Sequence, residues 1–87
     1  MFLVVDFDEL GLDYSETDVR IDDDADFSVG KLYNLICDGI EKLTNSSIPD
    51  RALFELKGPE DQVYSTLSKV KDLSLSDWDV IYVSRRR

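Results

Sequence analysis

Apolar residues open the chain as a nearly unbroken run and recur further along in two different rhythms. Met1-Phe2-Leu3-Val4-Val5 leads through Asp6 to Phe7 and stops at acidic, glycine-containing sequence, which predicts a strand buried on both sides and central in its sheet. After a turn-like stretch from Asp8 to Glu16, the alternation Thr17-Asp18-Val19-Arg20-Ile21 puts Val19 and Ile21 on one face and the charges on the other. That is the pattern of a half-exposed strand hairpinned to the first. At Ser28 the rhythm changes. Leu32, Leu35, Ile36, Ile40 and Leu43 follow at helical spacing, behind a small hydroxyl and an acidic run that favours a helix N-terminus, so a helix is predicted over about 29 to 43. Asn45-Ser46-Ser47 and Ile48-Pro49-Asp50 end it, and Ala52 to Lys57 predicts a third strand closed by Gly58-Pro59. Pro59, Glu60 and Asp61 suit a first helical turn, and Val63, Leu67 and Val70 extend it. A second, shorter helix is therefore expected to about Val70, opposed by the poor helix formers Ser65, Thr66 and Ser68. Leu73 to Asp77 turns the chain into a last strand from Trp78 to Ser84, followed by Arg85-Arg86-Arg87.

Strand, strand, helix, strand, short helix or turn, and strand within 87 residues is the order of a single α+β domain, a small mixed sheet packed on one main helix. This order, with Ile48-Pro49-Asp50-Arg51-Ala52-Leu53-Phe54-Glu55-Leu56-Lys57-Gly58 as a proline-marked loop, strand and glycine, resembles the β-grasp fold of ubiquitin and its relatives. Leu73-Ser74-Leu75-Ser76-Asp77 is similar to the leucine-serine-aspartate turn before their last strand. The resemblance implies a domain that binds other proteins, commonly through its sheet face. Conjugated members end in a di-glycine tail, whereas the sequence here ends in Arg85-Arg86-Arg87, so covalent tagging is not expected. A ferredoxin-like plait is the alternative, favoured by the Pro59 signal and opposed by the second strand that precedes the main helix.

Charge sharpens the expectation about partners. Residues 1 to 27 carry ten acids against Arg20 alone, and the remaining acids and bases balance, so the whole net charge of -9 lies in the first third. Such a field repels bare nucleic acid and attracts a protein with a basic surface. No stretch reaches the ~20 apolar residues of a membrane span, and the opening run has neither the basic flank nor the length of a signal peptide. With one cysteine, Cys37, among apolar neighbours, the expected thiol is buried and the expected compartment is the cytosol.

Candidate chemistry is thin. Val4-Val5-Asp6-Phe7-Asp8 resembles the opening of haloacid-dehalogenase-type phosphotransferases, in which the first aspartate is the nucleophile and the second the acid/base, but the remaining motifs and the length of that family are missing. Asp22, Asp24 and Asp26 match the start of an EF-hand loop, whose sixth and twelfth positions are here Phe27 and Tyr33 rather than glycine and glutamate. There is no histidine, so histidine-based hydrolysis is excluded, and a single cysteine builds no zinc site. Gly11, Gly30, Gly39 and Gly58 are too scattered to cradle a phosphate. No enzyme, cofactor or metal is expected.

The expected function is a non-catalytic protein-interaction module of ubiquitin-like type. Its binding residues are the acidic Asp22, Asp23, Asp24 and Asp26 and the outward-facing Leu53, Val80 and Tyr82, rimmed by Lys57 and Arg85. The alternative is an acidic DNA-mimic inhibitor of a nucleic-acid enzyme, of phage or mobile-element type. Leu73-Ser74-Leu75-Ser76-Asp77-Trp78-Asp79-Val80 is similar to a segment in phage inhibitors of uracil-DNA glycosylase. Mimicry needs acids in a row at phosphate-like spacing, whereas a sheet-face module needs an exposed apolar patch.

Overall fold

Alternation along the first strand decides the architecture. In the computed structural model, which describes residues 1–22 and 26–86, Leu3, Val5 and Phe7 are buried while their neighbours Phe2, Val4 and Asp6 face the other way. The strand is therefore covered on one side and open on the other, not buried on both as its apolar run predicts. Strand β1 (Phe2–Asp6) pairs antiparallel with β2 (Glu16–Arg20), Leu3 opposite Val19 and Val5 opposite Thr17. Helix α1 (Val29–Thr44) follows, then β3 (Phe54–Lys57) and β4 (Val80–Arg85). The sheet order is β2-β1-β4-β3, with β4 parallel to β1 and antiparallel to β3, so β1 is central as expected. The parallel central pair and the hairpin before the helix are compatible with a β-grasp-like topology and depart from the ferredoxin-like plait.

The helix begins and ends for identifiable reasons. Ser28 has extended backbone and its Oγ accepts from the Lys31 N–H, satisfying one of the free donors of the first turn. Asn45 ends the helix in the left-handed conformation, its N–H donating to the Glu41 carbonyl. The buried stripe is Val29, Leu32, Ile36, Cys37, Ile40 and Thr44, rotated from the expected one so that Leu35 and Leu43 lie in solvent. Against this stripe pack Leu3, Val5, Phe7, Phe54, Leu56, Ile81 and Val83 from the sheet and Tyr64 and Val70 from the long β3–β4 connection.

The second predicted helix is absent. Its proline-led start forms one 3-10 turn, Pro59–Asp61, and the chain then leaves helical geometry because Glu60 and Asp61 both have positive φ. The backbone finds other partners: the Gly58 N–H donates to the Gln62 carbonyl and the Tyr64 N–H to the Leu56 carbonyl, laying 62–64 along the free edge of β3. A second 3-10 turn, Val70–Leu73, follows. Likewise the predicted third strand starts late, because Arg51–Leu53 is a 3-10 turn capped by Asp50, whose Oδ1 accepts from the Ala52 N–H.

The loop between α1 and β3 is held by Arg51. Its guanidinium is ion-paired to Asp38 at 2.6 Å and to Glu41, and the Glu41 carboxylate also accepts from the Ile48 N–H. Beside this clamp the Tyr33 hydroxyl donates to the Arg51 carbonyl at 2.6 Å. Cys37 is buried, and that burial pushes its thiol above the ordinary value.

Candidate functional site: the open sheet face

The face of the sheet turned away from α1 can be laid out from strand register alone, because residues directly opposite one another share a face. Arg20 and Phe2 form its first row, and Trp78 continues the row, its N–H donating to the Phe2 carbonyl at 2.7 Å. Asp18, Val4 and Val80 form the second row. Glu16, Asp6, Tyr82 and Lys57 form the third, and Ser84 with Glu55 the fourth. Down the two central strands therefore runs an apolar strip of Phe2, Trp78, Val4, Val80 and Tyr82. Trp78, Phe2 and Tyr82 are 59%, 42% and 37% exposed.

Carboxylates edge this strip on the β2 side. Glu16 and Asp18 are two residues apart on one strand face, a rise of about 7 Å. Arg20 stops that acidic row, with its guanidinium carbon 5.9 Å from the Phe2 ring centroid. Asp6 also turns the chain, its Oδ1 accepting from the Asp8 N–H at 3.0 Å.

At the far end of the strip lies a cleft of about 320 Å³ lined by Tyr82, Lys57, Ser84, Glu9 and Glu60. The Glu9 carboxylate accepts from the Arg85 N–H at 3.1 Å, and this contact and the Ser84 hydroxyl hold it below the usual carboxylate range. A broader groove of about 630 Å³, lined by Val19, Ile21, Phe27 and Leu35, separates β2 from the first half of α1.

The expected binding residues are distributed unevenly over this surface. Val80 and Tyr82 stand together in the strip, with Val80 half-buried. Leu53 is exposed, but it sits in the 3-10 turn before β3, where its carbonyl accepts from the Arg86 N–H. Arg86 is four residues along the chain from Tyr82, about 13 Å away, with Glu55 and Ser84 between the two positions, so Leu53 is separate from the strip. Asp22 is exposed at the end of the groove beside β2. Asp26 is paired with Lys69 at 2.8 Å and Lys71 at 3.2 Å, which ties the start of α1 to the β3–β4 connection and holds the carboxyl below its ordinary value. Asp23 and Asp24 lie outside the described residues.

Neither expected basic rim residue occupies a rim. Lys57 is 5% exposed and lines the cleft with Glu9, Glu60 and Asp61, its backbone flanked on the free edge of β3 by 62–64. The Arg85 guanidinium lies 5.5 Å from the Phe54 ring centroid, on the helix side of the sheet. Arg86 faces outward instead, 3.8 Å from Glu55.

Sequence reasoning missed Phe2, Val4 and Trp78. For Phe2 and Val4 the signal was present in the alternation itself, since Leu3, Val5 and Phe7 facing a single helix leave them on the uncovered side, whereas the place of Trp78 depends on the pairing of β4 with β1. No group of three or more potential metal-ligating side chains converges among the described residues, and no helix among them is long and apolar enough to cross a membrane. No protein-family model matches the chain, and no curated protein matches it.

Proposed function

We propose that this chain is a non-catalytic interaction module of the ubiquitin-like β-grasp type, which docks a cytoplasmic protein partner on its open sheet face. The observation that carries the reading is the strip of Phe2, Trp78, Val4, Val80 and Tyr82 lying beside Asp6, Glu16 and Asp18 on one continuous surface. An apolar centre with a charged edge is the anatomy of a protein interface, and aromatic side chains supply most of the close-range energy in such surfaces. The partner surface that fits is an apolar ridge with basic residues along one side. Sheet order β2-β1-β4-β3 with a parallel central pair supports the β-grasp assignment.

DNA mimicry draws less support. Along β2 the outward acids number two, Glu16 and Asp18, before Arg20 reverses the sign, and on the same face of β1 and β4 only Asp6 adds a carboxylate, among Phe2, Val4, Val80 and Tyr82. A phosphate-like row would not be expected to run into an aromatic strip.

The test is affinity capture from the native host with immobilised protein, read by mass spectrometry, with the wild type compared against Val80→Thr/Tyr82→Ser and a remote control, Leu43→Ser. The reading predicts a partner retained by the wild type and the control and lost by the strip variant. A partner retained equally by all three would place the interface elsewhere.

A further inference from the structure

The first row of the open face is an aromatic–cation ladder that stops short. Arg20 lies on Phe2, and the Phe2 and Trp78 rings are stacked with centroids 5.4 Å apart and 10° between their planes. Strand β3 does not extend the row, since its last residue, Lys57, stands opposite Tyr82, four residues beyond Trp78. Among the described residues no cation lies on the indole, which is largely exposed.

The backbone holds this indole outward against its own preference. Trp78 has φ +67, a left-handed conformation that bulky L-residues avoid. The surrounding turn enforces it: the Trp78 N–H donates to the Phe2 carbonyl, the Phe2 N–H to Asp77 Oδ1 at 2.8 Å, and the Ser76 N–H to Asp79 Oδ2 at 2.9 Å. The mostly solvent-exposed ring contributes little to the core, and its packing partner is Phe2.

Indole faces carry negative electrostatic potential, and Asp77 and Asp79 flank this one in sequence within a chain of net charge -9. A guanidinium suits that environment better than an ammonium, because it is planar, weakly hydrated and stacks on aromatic faces. Arg20 on Phe2 is the same contact already made within the chain. Building on the docking reading above, we infer that Trp78 is a recognition site for an arginine side chain of the partner, whose guanidinium extends the Arg20–Phe2–Trp78 ladder by lying on the free face of the indole.

Trp78 is the only tryptophan, so its intrinsic fluorescence reports on the site directly. The probes are a short amidated arginine-rich peptide and its lysine and citrulline counterparts. A saturable fluorescence change is expected with the arginine peptide, about fivefold weaker affinity with lysine, and no saturation with citrulline. By calorimetry, Trp78→Gly, which keeps a residue suited to the left-handed turn, should weaken arginine-peptide binding by about fivefold or more, and Trp78→Phe by less. The doubly neutralised Asp8→Asn/Asp13→Asn, altered away from the ladder, should bind within about twofold of wild type at moderate salt. Equal binding of arginine and lysine peptides, or unchanged calorimetric binding by Trp78→Gly, would overturn the assignment. With a captured partner, loss of binding in Val80→Thr/Tyr82→Ser together with full binding by Trp78→Gly removes the arginine site and leaves the docking face intact.

Discussion

Gly58 and Tyr64 illustrate how closely single positions are specified. Gly58 has ordinary extended backbone, so its absence of a side chain is a matter of space: a Cβ there would lie 2.0 Å from the Tyr64 hydroxyl oxygen and 2.5 Å from the ring carbon that bears it. Tyr64 is buried and cannot swing away cheaply. Gly58→Ala should therefore lower stability by roughly 1–3 kcal/mol, measured by chemical denaturation. A second residue-scale expectation concerns acid. The Arg51 guanidinium and the Ile48 amide hold Glu41 below its ordinary value, and a carboxyl depressed in the folded state stabilises above its unfolded value and loses that contribution as pH falls through the folded one. Stability should thus decline below about pH 4.5, the ordinary glutamate value, and Arg51→Met should reduce the part of that decline due to Glu41. Urea unfolding at a series of pH values checks both. Neither contact was legible in the sequence. Gly58 read as a strand terminator and Arg51 only as one residue of the Ile48 to Gly58 segment, because their partners become neighbours only through packing.

Elements with a strong rhythm were legible, and the one whose local signal conflicted with tertiary packing was not. β1, β2, α1 and β4 lie within a residue or two of expectation, because each combines apolar periodicity with a clear stop such as Asn45. The Pro59 segment carried a valid helix start but no compelling helical face. Of Val63, Leu67 and Val70, the residues meant to define that face, only Val70 is buried, while Tyr64 takes a core position and its N–H bonds to β3. With Ser65, Thr66 and Ser68 contributing weak helix propensity, pairing along the sheet edge wins over a second helix. The turn that makes this possible holds Glu60 at φ +60. Glu60→Gly should accordingly stabilise the protein by about 1 kcal/mol through relief of left-handed strain. Thermal unfolding that moves downward instead would mean that the Glu60 side chain contributes more than its backbone costs.

On the scale of the whole molecule, folding joins two features that the sequence holds apart. Asp6, Glu16 and Asp18 from the first third meet Tyr82 of the last strand and Trp78 just before it on one sheet face, because β4 inserts beside β1 and parallel to it. The sequence exposed the charge asymmetry and two of the five residues of the apolar strip, Val80 and Tyr82; it could not place Phe2 and Trp78 side by side, which depends on the crossover. The proposal assigns the two features different tasks. Charge along the edge acts at a distance, raising association rates at low salt, whereas the apolar strip acts on contact and slows dissociation. Once a partner has been captured, surface plasmon resonance across a salt series is the most direct measurement of this division. Glu16→Gln/Asp18→Asn is predicted to slow association at low salt and to match wild type near 1 M, where the Debye length is about 3 Å, and Val80→Thr/Tyr82→Ser to speed dissociation about tenfold or more at every salt concentration. Binding abolished by the charge variant at all salt concentrations, with the strip variant behaving as wild type, would contradict the account and restore the DNA-mimic reading.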